Sequence, residues 1–481
     1  MKLRWGRAFA GAAAAAFIAV AVWQTHKPLP PGTHVASSVC TVGAGDVALA
    51  VDLTAADAYG RAIISQGVFD EVLRLVRSAR HVVVLDYELL GTGEGAAPQR
   101  RLAAELTDAL LAQRREHPQL RVLLITDPVN ERFGTARAAE LQLLRAGGVE
   151  VVLTNLDALR DPNFLYSSAW RLTLHWWGGP PGAAGALARE LNFKGNHRKV
   201  IVADDGANGL TALVGSANPF DAQSAWSNVA VRFSGGAVRT LLASELAIAR
   251  FSGWRGEAQS LLPAPNAPTA CDALAPAALT PASARVQLLT EGAIRRELLE
   301  QLGAAVQGDS VAIAMFKLAD RGVIEALLGA TRRGVRVRLI LDPSEDATTL
   351  TPTGLPNQPL ASELVARSNG AVKVRWYRTH GERFHDALVL VYSGERLWLM
   401  AGSANFTRRS LDDYNLDADV AMTLSVDAPL AQQARDYFDT LWSNQAARGI
   451  EYTADFAAFA NPSQADYWLC RLLEGAGAAP F

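Results

Sequence analysis

From Gly67 onward, apolar and polar positions follow one order twice. In the first pass a helix-spaced set (Phe69, Val72, Leu73, Val76) precedes an apolar strand at 82–85. A helix ending near Arg115 follows, then a strand at 122–125 that stops at Asp127-Pro128. In the second pass Ile294, Leu298, Leu299 and Leu302 precede a strand at 311–316, a helix at 322–333, and a strand at 337–341 that stops at Asp342-Pro343. Spacings of three and four place side chains on one helix face, and strands apolar at every position are covered on both faces. The pattern predicts two α/β lobes, each a mixed sheet flanked by helices. The runs "RVLLITDP" and "RVRLILDP" are similar enough to mark a duplication, and two copies are too few for a solenoid.

The copies differ in length. Between Asp127 and His197 the first holds roughly 27 residues more than the second holds between Asp342 and His385. The excess falls at 161–185, which contains Phe164, Tyr166, Trp170, His175, Trp176 and Trp177. Such an insertion is either a lid that meets a membrane interface, which suits tryptophan, or a loop packed on its own lobe. The glycine-rich run at 91–95 lacks the rest of either nucleotide-binding fingerprint and reads as a turn. A Pro- and Ala-rich stretch at 263–281 reads as a linker.

Ahead of the repeats, Lys2, Arg4 and Arg7 precede an uncharged run from Ala8 to Trp23 and then a Pro-rich segment. This is the order of a secretory signal, with the remainder exported. The run falls short of the about 20 residues of a spanning helix. It is read as an uncleaved anchor; Ala19-Val20-Ala21 supplies a cleavage site for the alternative, a secreted protein. The expected organisation is a signal anchor or signal peptide at 1–27, a linker at 28–44, a first lobe at 45–260, a linker at 261–284, a second lobe at 285–446 and a tail at 447–481.

Charge narrows the partners. With 46 basic and 48 acidic residues the formal net charge is −2, which disfavours a dedicated nucleic-acid binder. The three cysteines, Cys40, Cys271 and Cys470, have no metal-site spacing; they allow one bridge outside the cytoplasm or three free thiols.

Two of the eight histidines occupy matched places. His197, in "NHRKVIVADD", is followed by Gly215-Ser216-Ala217-Asn218; His385, in "FHDALVLVYSG", is followed at nearly the same spacing by Gly402-Ser403-Ala404-Asn405. Residues two apart on a strand share a face, so His197 and Lys199 reach one site. A phosphodiester needs positive charge and oriented donors there. Lys199 supplies charge, and Ser216, Asn218, Ser403 and Asn405 supply neutral donors.

His197, Lys199 and Asp204 together form the His-x-Lys-x4-Asp pattern of the phospholipase D superfamily. With the Gly-Ser-Ala-Asn runs and "GSANFTRRSLDDYNLDADV", the chain resembles its bacterial membrane-associated members related to cardiolipin synthases, over roughly residues 45–445. The resemblance implies a site at the pseudo-twofold lobe interface and a covalent phosphohistidine. His197 would be the nucleophile and His385 the acid/base, or the reverse. It implies that Asp417 orients a catalytic histidine; otherwise Asp417 is an ordinary solvated acid. Ala230 follows Asn228 at the place read as comparable in the first copy. The second motif departs from the pattern, with Ala387 for Lys and Tyr392 for Asp. Arg408, Arg409, Arg383 and Lys317 are candidate substitutes for the missing charge.

The function expected is transfer or hydrolysis at a phospholipid headgroup, outside the bacterial cytoplasmic membrane. No cofactor, no metal and no nucleic acid is called for, and no oligomer is required to complete the site. The rivals are a phosphate- or lipid-binding pseudoenzyme, favoured by Ala387, and a nuclease of the same superfamily.

Overall fold

The structure is a computed structural model that describes residues 2–57, 59–93, 100–177, 180, 182–206, 209–257, 261, 271, 279–345, 353–444 and 449–479. Part of the glycine-rich turn at 91–95 and most of the linker at 261–284 lie outside the described residues.

Each copy builds a mixed sheet. In the first lobe Val82–Tyr87, Arg121–Thr126 and Glu150–Leu153 run parallel, each delivered by a crossover helix. Lys199–Asp204, Leu210–Gly215, Asn228–Ser234 and Val47–Ala56 extend the sheet antiparallel on the other side, and Ala62–Gln66 ends it. The second lobe repeats this order with Ser310–Met315, Arg336–Leu341 and Val372–Tyr377 parallel. Ala387–Ser393, Arg396–Gly402, Ala418–Ser425 and Ser283–Thr290 continue it antiparallel.

The unbroken apolar strands are explained by what covers each face. Val200 and Val202 enter a core shared with Leu388, Leu390, Val420 and Met422 of the other lobe, whereas Ile201 and Ala203 meet the outer helices of their own lobe. One apolar layer therefore joins the lobes, and it fixes how the two histidine motifs meet.

Both ends of the chain feed the second lobe. Cys40–Gly43, in the stretch expected as a linker, pairs with Ser283–Thr290. Thr453–Asp455, in the stretch expected as a tail, pairs with Val372–Tyr377, and the helix Gln464–Gly475 packs Cys470 into that lobe's core. Cys40 is bridged to Cys271, and Cys470 is a buried free thiol.

The N-terminal helix is longer than the uncharged run implied. It spans Lys2–His26, and Arg7–His26 is long and apolar enough to cross a membrane. Its last turns lie on the insertion: Asp161 N donates to Gln24 O (3.0 Å) and Lys27 Nζ to Asp157 O (2.7 Å). The insertion forms the helix Phe164–Leu172, a turn at Leu174–Trp177 and the start of Gly182–Glu190. Trp170 is buried on the first lobe, while Leu165 and Trp176 face outward.

Candidate active site

The duplicated Asp-Pro pairs that follow Arg121–Thr126 and Arg336–Leu341 hold the loops that carry the histidines. Asp127 Oδ2 accepts the N–H of Asn196 (2.8 Å), and Asp342 Oδ2 accepts the N–H of Phe384 (2.9 Å). Each loop is then bonded to the opposite lobe. His197 N donates to Leu416 O and Leu416 N to Gly195 O; His385 N donates to Ser227 O and Ser227 N to Arg383 O. These paired main-chain bonds set each histidine against the residue that follows its partner strand segment: Asp417 for His197, Asn228 for His385.

His197 Nδ1 lies 2.8 Å from Asp417 Oδ1, and His385 Nδ1 lies 3.2 Å from Asn228 Oδ1. An acceptor on Nδ1 places the ring proton there and turns the Nε2 lone pair toward the cavity. Asp417 thus lies beside His197 and reaches it across the lobe interface. Its counterpart is Asn228, not Ala230. The reason is that the cross-lobe bonds align Leu416 with Ser227, so Asn415 and Asn228, which look alike in sequence, are not equivalent.

The histidines sit in unlike surroundings. His197 lines a cavity of about 420 Å³ whose wall carries Lys194, Lys317, Arg383, Asn405 and Arg409. Its Nε2 is 3.6 Å from Glu88 Oε2, and Lys199 Nζ donates to the same carboxylate oxygen (2.9 Å) and to His197 O (2.8 Å). Burial pushes the Glu88 carboxyl up, but Lys199 and His197 outweigh it and hold it down at about 2. A carboxylate thus shares the lysine expected to serve phosphate. The second lobe replaces both members of this pair, with Phe316 at the place of Glu88 and Ala387 at the place of Lys199. Phe316 and Trp226 close over the His385 ring at 4.7 and 5.2 Å between centroids, and Arg383 stacks on both. Burial, then the charges of Lys199 and His197, hold the His385 pKa well below 6.5.

Several residues expected in the site lie elsewhere. Ser216 and Ser403 do not face the cavity; their buried hydroxyls donate to Asn228 Oδ1 (3.2 Å) and Asp417 Oδ1 (2.7 Å), bracing the histidine partners. Asn218 accepts from Leu89 N and donates to Gln223, so it holds the cavity wall rather than lining it. Asp204 lies at the far end of its strand and accepts the main-chain N–H groups of Arg80, His81 and Val82. Those bonds outweigh its burial and hold its pKa below the ordinary range. Tyr392, at the matching place in the second copy, packs under the Arg435 guanidinium instead. Arg408 turns to Tyr414 and Glu474, and its neighbour Arg409 reaches the cavity in its place.

Residues 298–442 match a protein family described as cardiolipin synthase, PLD-like domain. No curated protein sequence matches the chain. Among solved structures, phosphatidylserine synthase from Haemophilus influenzae shares the fold at 11% identity and a TM-score of 0.55, over 90% of this chain and 94% of that one. Polyphosphate kinase from Porphyromonas gingivalis overlaps at 15% identity and a TM-score of 0.44, over 85% of this chain and 51% of that one. Nuc, a phospholipase D family member from Salmonella typhimurium, overlaps at 18% identity and a TM-score of 0.27, over 36% of this chain and 97% of that one. The second lobe thus matches a phospholipase D-like domain, and the chain shares the two-lobed fold of a solved phosphatidylserine synthase.

Proposed function

We infer that the protein transfers or hydrolyses the phosphodiester of a phospholipid headgroup through a covalent phosphohistidine on His197. The observation that carries this reading is the cross-lobe pair of His197 with Asp417, which leaves Nε2, 3.6 Å from the Glu88 carboxylate, at a cavity whose wall carries Lys194, Lys317, Arg383 and Arg409 as well as acids. Nε2 attacks phosphorus, the bond to the headgroup oxygen breaks, and His385 gives that oxygen its proton. His385 then takes a proton from water or an acceptor alcohol, whose oxygen attacks phosphorus and breaks the P–N bond to His197. Asp417 stabilises the positive charge that forms on the ring, and Lys199 with Arg409, Lys317 and Arg383 offsets the charge on the phosphoryl oxygens. The apolar helix at the N-terminus serves as the anchor, and the Cys40–Cys271 bridge fits an exported, oxidising location.

Asp417→Asn keeps the side-chain shape and removes the charge on the His197 partner. Headgroup release from phospholipid vesicles is expected to fall about 10²–10⁴-fold in kcat, with KM little changed. A loss confined to KM would place Asp417 in substrate binding instead.

The pH profile follows from His385. The proton donor must be charged before the headgroup leaves, and its pKa lies below 6.5. Single-turnover headgroup release is therefore expected to accelerate as pH falls from 8 through 6.5. A rate that rises steadily toward alkaline pH would contradict the role given to His385.

A second reading, a lipid- or phosphate-binding protein without turnover, is favoured by the carboxylate of Glu88 on Lys199 and by Ala387. It predicts that His197→Ala leaves lipid binding intact while no variant, nor the parent, releases headgroup.

A further inference from the structure

The C-terminal helix Gln464–Gly475 lies on the surface with an uncharged outer face. Its exposed positions are Gln464, Ala465, Trp468, Leu469, Leu472 and Gly475, which fall on one side at helical spacing. Trp468 is 62% exposed and Leu472 68%. Isolated apolar side chains at a surface need no explanation, but a continuous stripe of them on one helix marks a contact surface.

Three elements meet at the end of this helix. Gly477 packs against the main chain of Pro162, where an added Cβ would overlap the carbonyl oxygen. The neighbouring Asp161 N binds Gln24 O at the end of the apolar N-terminal helix. The insertion helix Phe164–Leu172 starts from the same junction and exposes Phe164, Leu165 and Leu172. The N-terminal helix, if it crosses a bilayer, brings this junction to the membrane surface and both apolar faces with it.

The inner side of the C-terminal helix is bonded to Arg408, next to a residue of the active-site cavity. Glu474 Oε1 accepts Arg408 N (2.6 Å), and the Arg408 guanidinium donates to Gly475 O (3.2 Å). The next residue, Arg409, is one of the cations in the cavity wall. One short helix therefore has its outside free for lipid and its inside fixed to the loop that would hold the phosphate.

We propose that the outer face of Gln464–Gly475 is a second membrane-contact surface, which inserts shallowly beside the insertion helix and sets the cavity against the lipid headgroups. The proposal rests on the anchor and lipid readings above. The occupant is the bilayer interface, because the face is continuous, through the junction at Asp161 and Pro162, with a helix of membrane-spanning length.

The test uses the full chain in phospholipid vesicles, with an environment-sensitive fluorophore on Leu472→Cys, Leu165→Cys or, as a water-exposed reference, Glu116→Cys. The unsubstituted chain, whose Cys470 is buried, sets the background. Probes at positions 472 and 165 are expected to shift to the blue and to be quenched by lipids spin-labelled near the headgroup, and the reference is not. Trp468→Glu with Leu472→Glu is expected to lower turnover on vesicles at least tenfold and to leave turnover of a short-chain monomeric phospholipid unchanged. Quenching at 165 without quenching at 472 would overturn the proposal. So would shielding at 472 that is lost when each bilayer disc holds a single copy, because it would make the face a contact between copies. Quenching at both positions in a protein that turns over neither substrate would overturn the enzymatic reading and leave the membrane surface standing.

Discussion

His197→Ala is expected to abolish headgroup release, by about 10⁴–10⁶-fold in kcat, without unfolding the protein. The substitution removes the attacking nitrogen and the side-chain bond to Asp417, whose carboxylate keeps the Ser403 hydroxyl, and it leaves the main-chain bonds of the loop in place. The bonds that place residue 197 are main-chain bonds, from its own N–H to Leu416 O and from Leu416 N–H to Gly195 O, and both survive. The His197 side chain lines the cavity rather than the apolar core, so the vacated space fills with water. A second replacement, of His385, is expected to add little to the loss, because residues that act as one unit are not additive. The check is headgroup release from vesicles with the thermal midpoint measured alongside. Activity within tenfold of the parent would remove His197 from the chemistry.

The largest stability effect is expected one residue further on, at Arg198. Strand alternation turns this side chain away from His197 and Lys199 and into the protein, where it is fully buried. Its guanidinium donates to Glu245 Oε1 (2.9 Å) in the first lobe and to Glu291 Oε1 (2.7 Å) in the second. It also donates to Ser244 Oγ and to Thr33 O in the segment after the N-terminal helix. Three parts of the chain thus share one cation. Burial already pushes Glu291 up to about 7 against the pull of Arg198. Arg198→Ala leaves Glu245 and Glu291 buried without it, at a cost of about 3–5 kcal/mol. A fall of roughly 3–5 °C in the thermal midpoint is expected for a chain of this length. Arg198→Lys is expected to rescue little, since a single ammonium cannot form the planar fork that serves two acids. A midpoint within 1 °C of the parent (roughly 1 kcal/mol or less) would show that the cluster does not hold the lobes together.

Much of the fold was legible because it is written twice. The runs ending in Asp127-Pro128 and Asp342-Pro343 mark equivalent strands, and the histidines with their Gly-Ser-Ala-Asn followers mark equivalent strand pairs. What the repeat could not show is how the copies face each other. Asp417 was legible as a candidate, but its partner depends on the cross-lobe bonds, and the look-alike residues Asn415 and Asn228 hid the true register. Cys40–Gly43 is too short to display a strand period and reads as linker. The choice between Arg408 and Arg409 was closed to sequence because neighbours on a helical turn point about 100° apart. The hydroxyls of Ser216 and Ser403 look the same in sequence whether they serve a ligand or a buried amide. Glu88 carried little signal: it follows the strand Val82–Tyr87, outside every motif, and only the folded chain sets it beside Lys199. The one pointer is its counterpart, since Phe316 and Ala387 replace Glu88 and Lys199 together.

The central claim is that His197 carries the phosphoryl group in a covalent intermediate. Intact-protein and peptide mass measurement on the full chain, mixed with bacterial phospholipids and quenched at neutral or alkaline pH to preserve a P–N bond, tests it directly. The account predicts a phosphatidyl adduct on the peptide containing His197, accompanied by released headgroup and absent from His197→Ala. An adduct on His385 would reverse the two roles, and headgroup release with no adduct on either histidine would contradict the account.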